Sequence, residues 1–422
     1  MTSGLRRGTA VVLGLLSSLA FAAWDQLNSG VTGPLYSVHF PEGTQVGYAV
    51  GACLDSLGGE IGLVIKTTDG GDTWLQQVSG TAGALNSVYF KSNDTGFAVG
   101  AAGAAIRTFD GGATWDSFTV PTSEALTGIQ FPENGQTGYI FTRPRNPPSK
   151  VLKTTDGGNN WTAINVGGPA SVTRGGCFAN DSVGVVVGDD GLVLGTNDGL
   201  DSFWFGGAKT AADLVAATFS RDNPNIGYLV GYDSTIGVIR YTDDGGVTPW
   251  DSVECWRAAA FYGVDTRTSD IAYVCGTDSC ILASAFATDF YRTTVPHGFG
   301  VALYGLHFPN GRDTGYAVGA GGAILKTCDH GWPWGPFWVA EEKGPAIAGQ
   351  TVRVMSNPSR HGICFNFDTE ANVLVFDALG RVVATQTAAR GLNSVPLSKA
   401  GVYLLKVKAD GFTTTQKFVI ER

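Results

Sequence analysis

Apolar positions along most of the chain do not follow a helical period; they come as short runs broken by Gly, Asn, Asp and Pro. Short apolar runs bounded by turn residues read as β-strands. From Leu35 to Trp334 the runs recur in a fixed order: a strand closing on Phe, a Gly-aromatic-apolar strand, and a third strand that leads into a polar turn and a Trp. The first copy is LYSVHF, VGYAVG and GLVIKTTDGGDTW, the second LNSVYF, TGFAVG and AAIRTFDGGATW, the third LTGIQF, TGYIF and KVLKTTDGGNNW, and the last LYGLHF, TGYAVG and GAILKTCDHGWPW, with three weaker copies between the third and the last. The closing aromatic falls at Phe40, Phe90, Phe131, Phe178, Phe219, Phe261 and Phe308. That is a mean step of about 45 residues, the length of one four-stranded propeller blade. Seven copies predict an all-β, seven-bladed β-propeller over residues 23–340, each blade with strands a to d. Continuously apolar strands such as YAVG and VGVVVG fit sheets covered on both faces. The segment Trp24 to Leu27 reads as a fourth strand and is expected to complete the last blade and close the ring.

The turn between strands c and d carries its own signature, Thr-x-Asp-x-Gly-x-x-Trp. It stands at Thr67, Asp69, Gly71 and Trp74, at Thr108, Asp110, Gly112 and Trp115, and at Thr154, Asp156, Gly158 and Trp161. Worn copies keep Asp198 and Trp204, then Asp244, Gly246 and Trp250, and the motif returns at Asp329, Gly331 and Trp334. This phrase resembles the Asp box of the BNR, or sialidase-like, repeats, and the wording TGYAVG with IxKTTDGGxTW resembles the photosystem II assembly factor type of propeller. The physics of the box is local: Asp accepts backbone N–H groups, Gly takes a left-handed conformation and Trp packs on the blade. The boxes are expected to be structural staples rather than catalytic or calcium sites.

Both ends of the chain differ from the repeat. Arg6 and Arg7 precede an apolar stretch that ends at Ala20-Phe21-Ala22, which reads as a cleaved signal peptide over residues 1–22. It is shorter than the roughly 20 residues of a membrane span, and no later segment is long and apolar enough to be one. A linker over 341–349 leads to alternating strands in 350–422, which predict a small C-terminal β-sandwich. This part resembles the C-terminal sorting domain of type IX secretion substrates, with SNPSRHG (Ser356 to Gly362), VFDALGRVV (Val375 to Val383), AGVYLLKV (Ala400 to Val407) and a terminal KFVIER. The resemblance implies the type IX secretion machinery as a partner and delivery to the surface or the medium of a Gram-negative-type bacterium.

Charge narrows the classes of partner. With 28 basic against 37 acidic residues, net −9, the chain lacks the field that attracts a phosphate backbone, so nucleic acid is not expected. No phosphate cradle, dinucleotide fingerprint or metal-ligand spacing is present, and neither cofactor nor metal is expected. In an oxidising compartment Cys275 and Cys280, flanking a hairpin, are expected to pair as a disulfide. His39 and His307 hold equivalent places in neighbouring blades and read as packing residues.

Strand alternation puts the Asp boxes on one rim with the a–b loops and leaves the b–c loops on the other. Irregular b–c segments are the candidate binding face: Asp55 and Glu60 in blade 1, Arg143 and Arg145 in blade 3, Asp189 and Asp190 in blade 4, Tyr232 and Asp233 in blade 5. No catalytic residue is assigned. The expectation is a non-enzymatic binding or scaffolding module for an extracellular protein or glycan; the alternatives are an extracellular glycoside hydrolase of sialidase or xyloglucanase type, and a periplasmic assembly factor.

Overall fold

The computed structural model describes residues 24–328, apart from 134, 169–170, 235, 254–258, 270, 286–287, 294, 297–298 and 310–313, and, beyond them, the strands between 353 and 420 with residue 381. The segments expected as a signal peptide and a linker, and the last repeat of the turn motif (Asp329, Gly331, Trp334), lie outside the described residues.

Seven antiparallel four-stranded sheets follow one another in chain order. In blade 1 they are Leu35–His39, Gly47–Leu54, Glu60–Thr67 and Leu75–Gln77. The a strands of blades 2 to 7 are Leu85–Phe90, Ala125–Gln130, Thr173–Phe178, Asp213–Phe219, Phe261–Thr268 and Leu303–His307. They run side by side with those of the neighbouring blades, blade 7 against blade 1, and so form the inner wall of a closed ring. Closure is as expected: Asp25–Leu27 pairs with Ile324–Thr327 of blade 7, Asp25 opposite Lys326. Trp24, buried at its edge, meets Phe308 edge-on at 5.9 Å.

The repeated Gly-aromatic phrase has a steric cause. A Cβ on Gly47 would sit 2.2 Å from the ring of Phe40, and the glycines that open the b strands of blades 2 to 5 and 7 face their own Phe in the same way. Each Phe is thus seated on a glycine, and the tyrosine that follows it in strand b of one blade stacks on the Phe of the next. Ring centroids are 3.6 Å apart for Tyr48 and Phe90, 3.5 Å for Tyr139 and Phe178, and 3.9 Å for Tyr316 and Phe40. Burying such rings stabilises each blade interface by roughly 1.5–3 kcal/mol per side chain.

Blade 6 corrects the sequence reading. Phe261 opens its a strand instead of closing it, and Thr266 occupies the closing place. Opposite Thr266 stands Ala272 where Phe90 faces Gly96. The bulky ring and the glycine that seats it have been replaced together by two small residues.

The expected disulfide is also corrected. Cys275 and Cys280 do not bond to each other. Cys275 stands opposite Ile281 in the ladder, so Cys280, one residue earlier, points to the other face of the sheet. Cys275 packs with Tyr273 and Ile281 towards blade 7, and Cys280 with Val274 and Leu282 towards blade 5. Burial pushes the Cys275 thiol well up, away from the reactive thiolate.

Beyond the propeller are a three-stranded antiparallel sheet (Arg353–Val354, Gly362–Phe367, Gly391–Pro396) and a four-stranded one (Val382–Ala388, Ala371–Asp377, Gly401–Ala409, Phe412–Ile420). These are the strands that the alternating pattern marked.

The cysteine geometry makes a direct prediction. Denaturing the unreduced protein with iodoacetamide present alkylates both Cys275 and Cys280; peptides left linked by a 275–280 bridge would contradict the fold described.

Candidate functional site

Every described Asp box is stapled from within. In blade 1, Thr67 Oγ1 donates to Asp69 Oδ1 at 2.7 Å and accepts the Gly71 N–H at 2.9 Å. Asp69 also accepts the Thr73 N–H at 2.9 Å and its hydroxyl at 2.6 Å. The worn copies do the same: Leu200 takes the place of the glycine, at φ +75°, and its N–H still reaches Thr196 Oγ1 at 2.9 Å. Asp244 accepts from Thr242, Gly246, Val247 and Thr248. These bonds hold the carboxylates far down: Asp110 at about 2, led by the Thr114 hydroxyl, Asp156 at about 2, led by the Asn160 N–H, and Asp244 at about 2, led by Thr248. The neighbouring blade fastens the same turn, since Tyr48 Oη donates to Gly111 O at 2.8 Å and Tyr316 Oη to Gly70 O at 2.7 Å. Both oxygens of each of these carboxylates are thus engaged within their own turn.

Within the channel a second pattern appears, one that the repeat alone did not disclose. The a strands have no strand partner on their inner edge, and a side chain of one blade bonds the exposed backbone of the next at the closing position. The Phe90 N–H donates to His39 Nδ1 at 3.3 Å, and Tyr89 Oη donates to Phe131 O at 2.6 Å. Gln130 donates to Phe178 O at 2.8 Å and accepts its N–H at 2.9 Å. Asp265 accepts the Phe308 N–H at 2.8 Å, and His307 Nε2 lies 3.3 Å from Phe40 O. His39 and His307 do meet, stacked with centroids 4.8 Å apart, in the packing role expected for them. Burial, helped by His307 and Arg221, lowers His39 well below its ordinary value, so it is neutral. Burial opposes the charge on Asp265, but Arg221 at 3.9 Å, His307 and the Phe308 N–H outweigh it and keep the carboxyl low.

At the other end of the a strands, every blade has a register shift at the second position: between Leu35 and Ser37, Leu85 and Ser87, Leu126 and Gly128, Thr173 and Gly175, Leu214 and Ala216, Phe261 and Gly263, Leu303 and Gly305. A β-bulge leaves one residue unpaired and re-aims its side chain. Seven bulges on seven inner strands therefore set a ring of half-buried side chains around the channel mouth on the b–c rim: Tyr36, Asn86, Thr127, Arg174, Val215, Tyr262 and Tyr304. Tyr36, Tyr304 and Tyr262 touch in sequence, at 5.5 and 5.6 Å between centroids, and Tyr232 from strand b of blade 5 continues the arc at 5.9 Å. Arg174 ends it, 5.9 Å over the Tyr232 ring and donating to Tyr232 Oη at 3.2 Å, to Asp213 at 2.7 Å and to Asp189.

The proposed binding-face residues divide accordingly. Tyr232 joins the arc, and Asp189 anchors its end through Arg174. Asp190, at φ +53° in the tight turn Asp189–Gly191, offers its N–H to Asp213 at 3.4 Å. Asp55 is used inside its own hairpin, accepting from Leu57 at 2.8 Å and Gly59 at 2.7 Å. Glu60 reaches the Ala84 N–H at 3.3 Å. Arg143 and Arg145 are exposed on the blade 3 hairpin, with the Arg145 N–H on Glu124 at 3.1 Å, and Asp233 is exposed at the blade 5 tip. Sequence reasoning missed Tyr36, Arg174, Tyr262 and Tyr304.

Residues 80–169 match the family model of the photosynthesis system II assembly factor YCF48, and residues 354–421 that of a secretion system C-terminal sorting domain. No curated protein matches the chain. Among solved structures it is similar to YCF48 bound to D1 peptide, at TM-score 0.59 and 20% identity, over 73% of this chain and 98% of that one. YCF48 from Cyanidioschyzon merolae gives 0.59 and 17%, over 72% and 99%. The Cps50 (Swd1) propeller domain of Myceliophteria thermophila gives 0.53 and 9%, over 72% and 98%. At these identities the structural likeness shows the propeller fold.

Two predictions follow from this wiring. Asp110, Asp156 and Asp244 are held at about 2 in the fold against an ordinary 3.8, so their stabilisation is present above about pH 4 and is lost as the pH falls towards 2. Thermal melts of Asp110→Asn should therefore lie below wild type at pH 7 and converge on it near pH 2. Asp265→Ala removes the carboxylate shared by Arg221, His307 and the Phe308 N–H; urea unfolding should show a loss of roughly 2–4 kcal/mol.

Proposed function

We propose that this chain is an exported, non-enzymatic propeller that binds an extracellular protein or glycan at the b–c mouth of its channel. The observation that carries the reading is the bulge ring. It sets Tyr36, Tyr262 and Tyr304, released from the strand ladder, beside Tyr232 and Arg174 at the channel mouth. Tyrosines give broad contact area with a polar tip at little entropic cost, and they are enriched at binding surfaces. Two of the rim carboxylates are engaged within the fold, Asp55 with its own hairpin and Asp189 with Arg174.

Delivery follows from the sorting domain, which directs its carrier out of the cell. We place the mature propeller on the surface or in the medium, passed there by type IX machinery after signal cleavage. An assembly-factor role is the second reading, favoured by the match over residues 80–169.

Two measurements test the proposal. Mass spectrometry of fractionated host cells should find peptides of residues 23–340 outside the cell and those of 350–422 depleted there; a full-length chain confined to the periplasm would favour the assembly-factor reading. On peptide and glycan arrays, Tyr262→Ala/Tyr304→Ala should lose the ligands that the wild type retains, while an exposed change on the box rim, Asp72→Asn, keeps them.

A further inference from the structure

The b–c rim is not level. In blades 2, 4, 6 and 7 the b and c strands join through one tight turn: Ala101–Gly103, Asp189–Gly191, Thr277–Ser279 and Ala320–Gly322. In blades 1 and 5 the same strands run on as hairpins, Gly47–Leu54 with Glu60–Thr67 and Gly227–Asp233 with Ile236–Thr242. The b–c turns of blades 6 and 7 therefore lie low between two longer hairpins, as the floor of a trough, and the arc from Tyr36 through Tyr304 and Tyr262 to Tyr232 runs from blade 1 to the hairpin of blade 5. Apolar residues stand bare on both walls: Leu57 is 93% exposed and Ile236 58%.

Charge settles what such a trough fits. Among the described residues around it, Asp55 and Glu60 stand on the first wall, Asp233 on the second, and Asp278 in the floor turn. Against them are Arg174, already held by Asp189 and Asp213, and Arg292, which donates to Asp278 O at 3.5 Å. Burial, the charge of Glu60 and neighbouring Tyr304 raise Tyr36, and burial with Tyr232 and Tyr304 raises Tyr262; both stay neutral phenols. Aromatic faces among carboxylates attract ammonium and guanidinium groups.

We infer that the trough between the hairpins of blades 1 and 5 takes a lysine- or arginine-bearing polypeptide segment, whose cations lie against the tyrosine arc. This deepens the binding-face reading and rests on it. Apolar side chains of the segment meet Leu57 and Ile236, and the acids of the walls steer it in.

The test uses the full-length chain and fluorescence anisotropy with labelled octalysine and octaarginine, with octaglutamate and a xylan-derived hexasaccharide as comparisons. Both cationic peptides should bind at about 50 mM salt and weaken strongly at about 500 mM. Tyr262→Ala/Tyr304→Ala should weaken them about tenfold, while the Phe pair, which keeps the rings, should stay within about threefold of wild type. Glu60→Gln/Asp233→Asn/Asp278→Asn should lower affinity and flatten the salt dependence. Circular dichroism melts confirm that each variant folds.

The inference is overturned if the cationic peptides do not bind, if they bind regardless of both variant sets, or if the hexasaccharide binds in their place and the Phe pair fails as badly as the Ala pair. Array ligands that depend on the tyrosines but not on the acids would overturn this inference and leave the binding face standing. Ligands indifferent to both would remove the binding face as well.

Discussion

The innermost strand of every blade has one edge with no strand beside it. Its N–H and C=O groups face a channel and must be satisfied by something other than a sheet. The solution is a relay in which a side chain near the end of one a strand bonds the closing residue of the next: His39 to Phe90, Tyr89 to Phe131, Gln130 to Phe178, Asp265 to Phe308 and His307 to Phe40. The chemistry varies from blade to blade while the geometry is kept. Blade 5 is fastened from the other side, Thr266 of blade 6 donating to Phe219 O at 3.1 Å. A charged group deep in this relay, such as Asp265, is therefore a fastener with its counter-charges beside it.

The same strands solve a second problem at their opposite end. A residue that has bulged out of the ladder has no pairing duty, so its identity is released from the repeat. Along the closing position Phe recurs; along the bulge position Tyr, Asn, Thr, Arg and Val replace one another. The box rim is locked by short local bonds and by tyrosines reaching in from the next blade, and the b–c rim is where the sequence has been left to vary. Locked and variable positions thus occupy opposite ends of one set of strands.

Much of this was legible in advance. Blade number, the strands, the two rims and the box chemistry follow from a repeat whose glycines and aromatics answer to one steric rule. Even the bulge has a trace. Strict alternation would bury residues two apart, yet Leu35, Val38 and Phe40 are buried, as are Leu85, Val88 and Phe90; the step of three marks the slipped residue. What the sequence could not display is which bulged residues of distant blades touch, since Tyr36 and Tyr304 become neighbours only when the ring closes. Arg174 was hidden for the same reason, since two of its partners, Asp213 and Tyr232, lie in blade 5. The cysteine error came from reading proximity along the chain as proximity of side chains, when five positions of separation across this turn send them to opposite faces. Phe261 was misplaced because the blade that lost its Phe also lost the glycine that would have flagged the vacancy.

Closure of the ring by Asp25–Leu27 carries a temporal consequence. The contact between Asp25 and Lys326 shuts a loop on the order of 300 residues, the most non-local pairing in the propeller. Until it forms, Ile324–Thr327 presents a bare outer edge, and Trp24 and Phe308 lie apart. Blades can assemble one after another as the chain emerges, but the fold as a whole stays an open arc, exposed to rival pairings, until its first and last strands meet. The order of events in folding is thus written into the topology: the blades come first, and the cooperative lock between the two ends comes last.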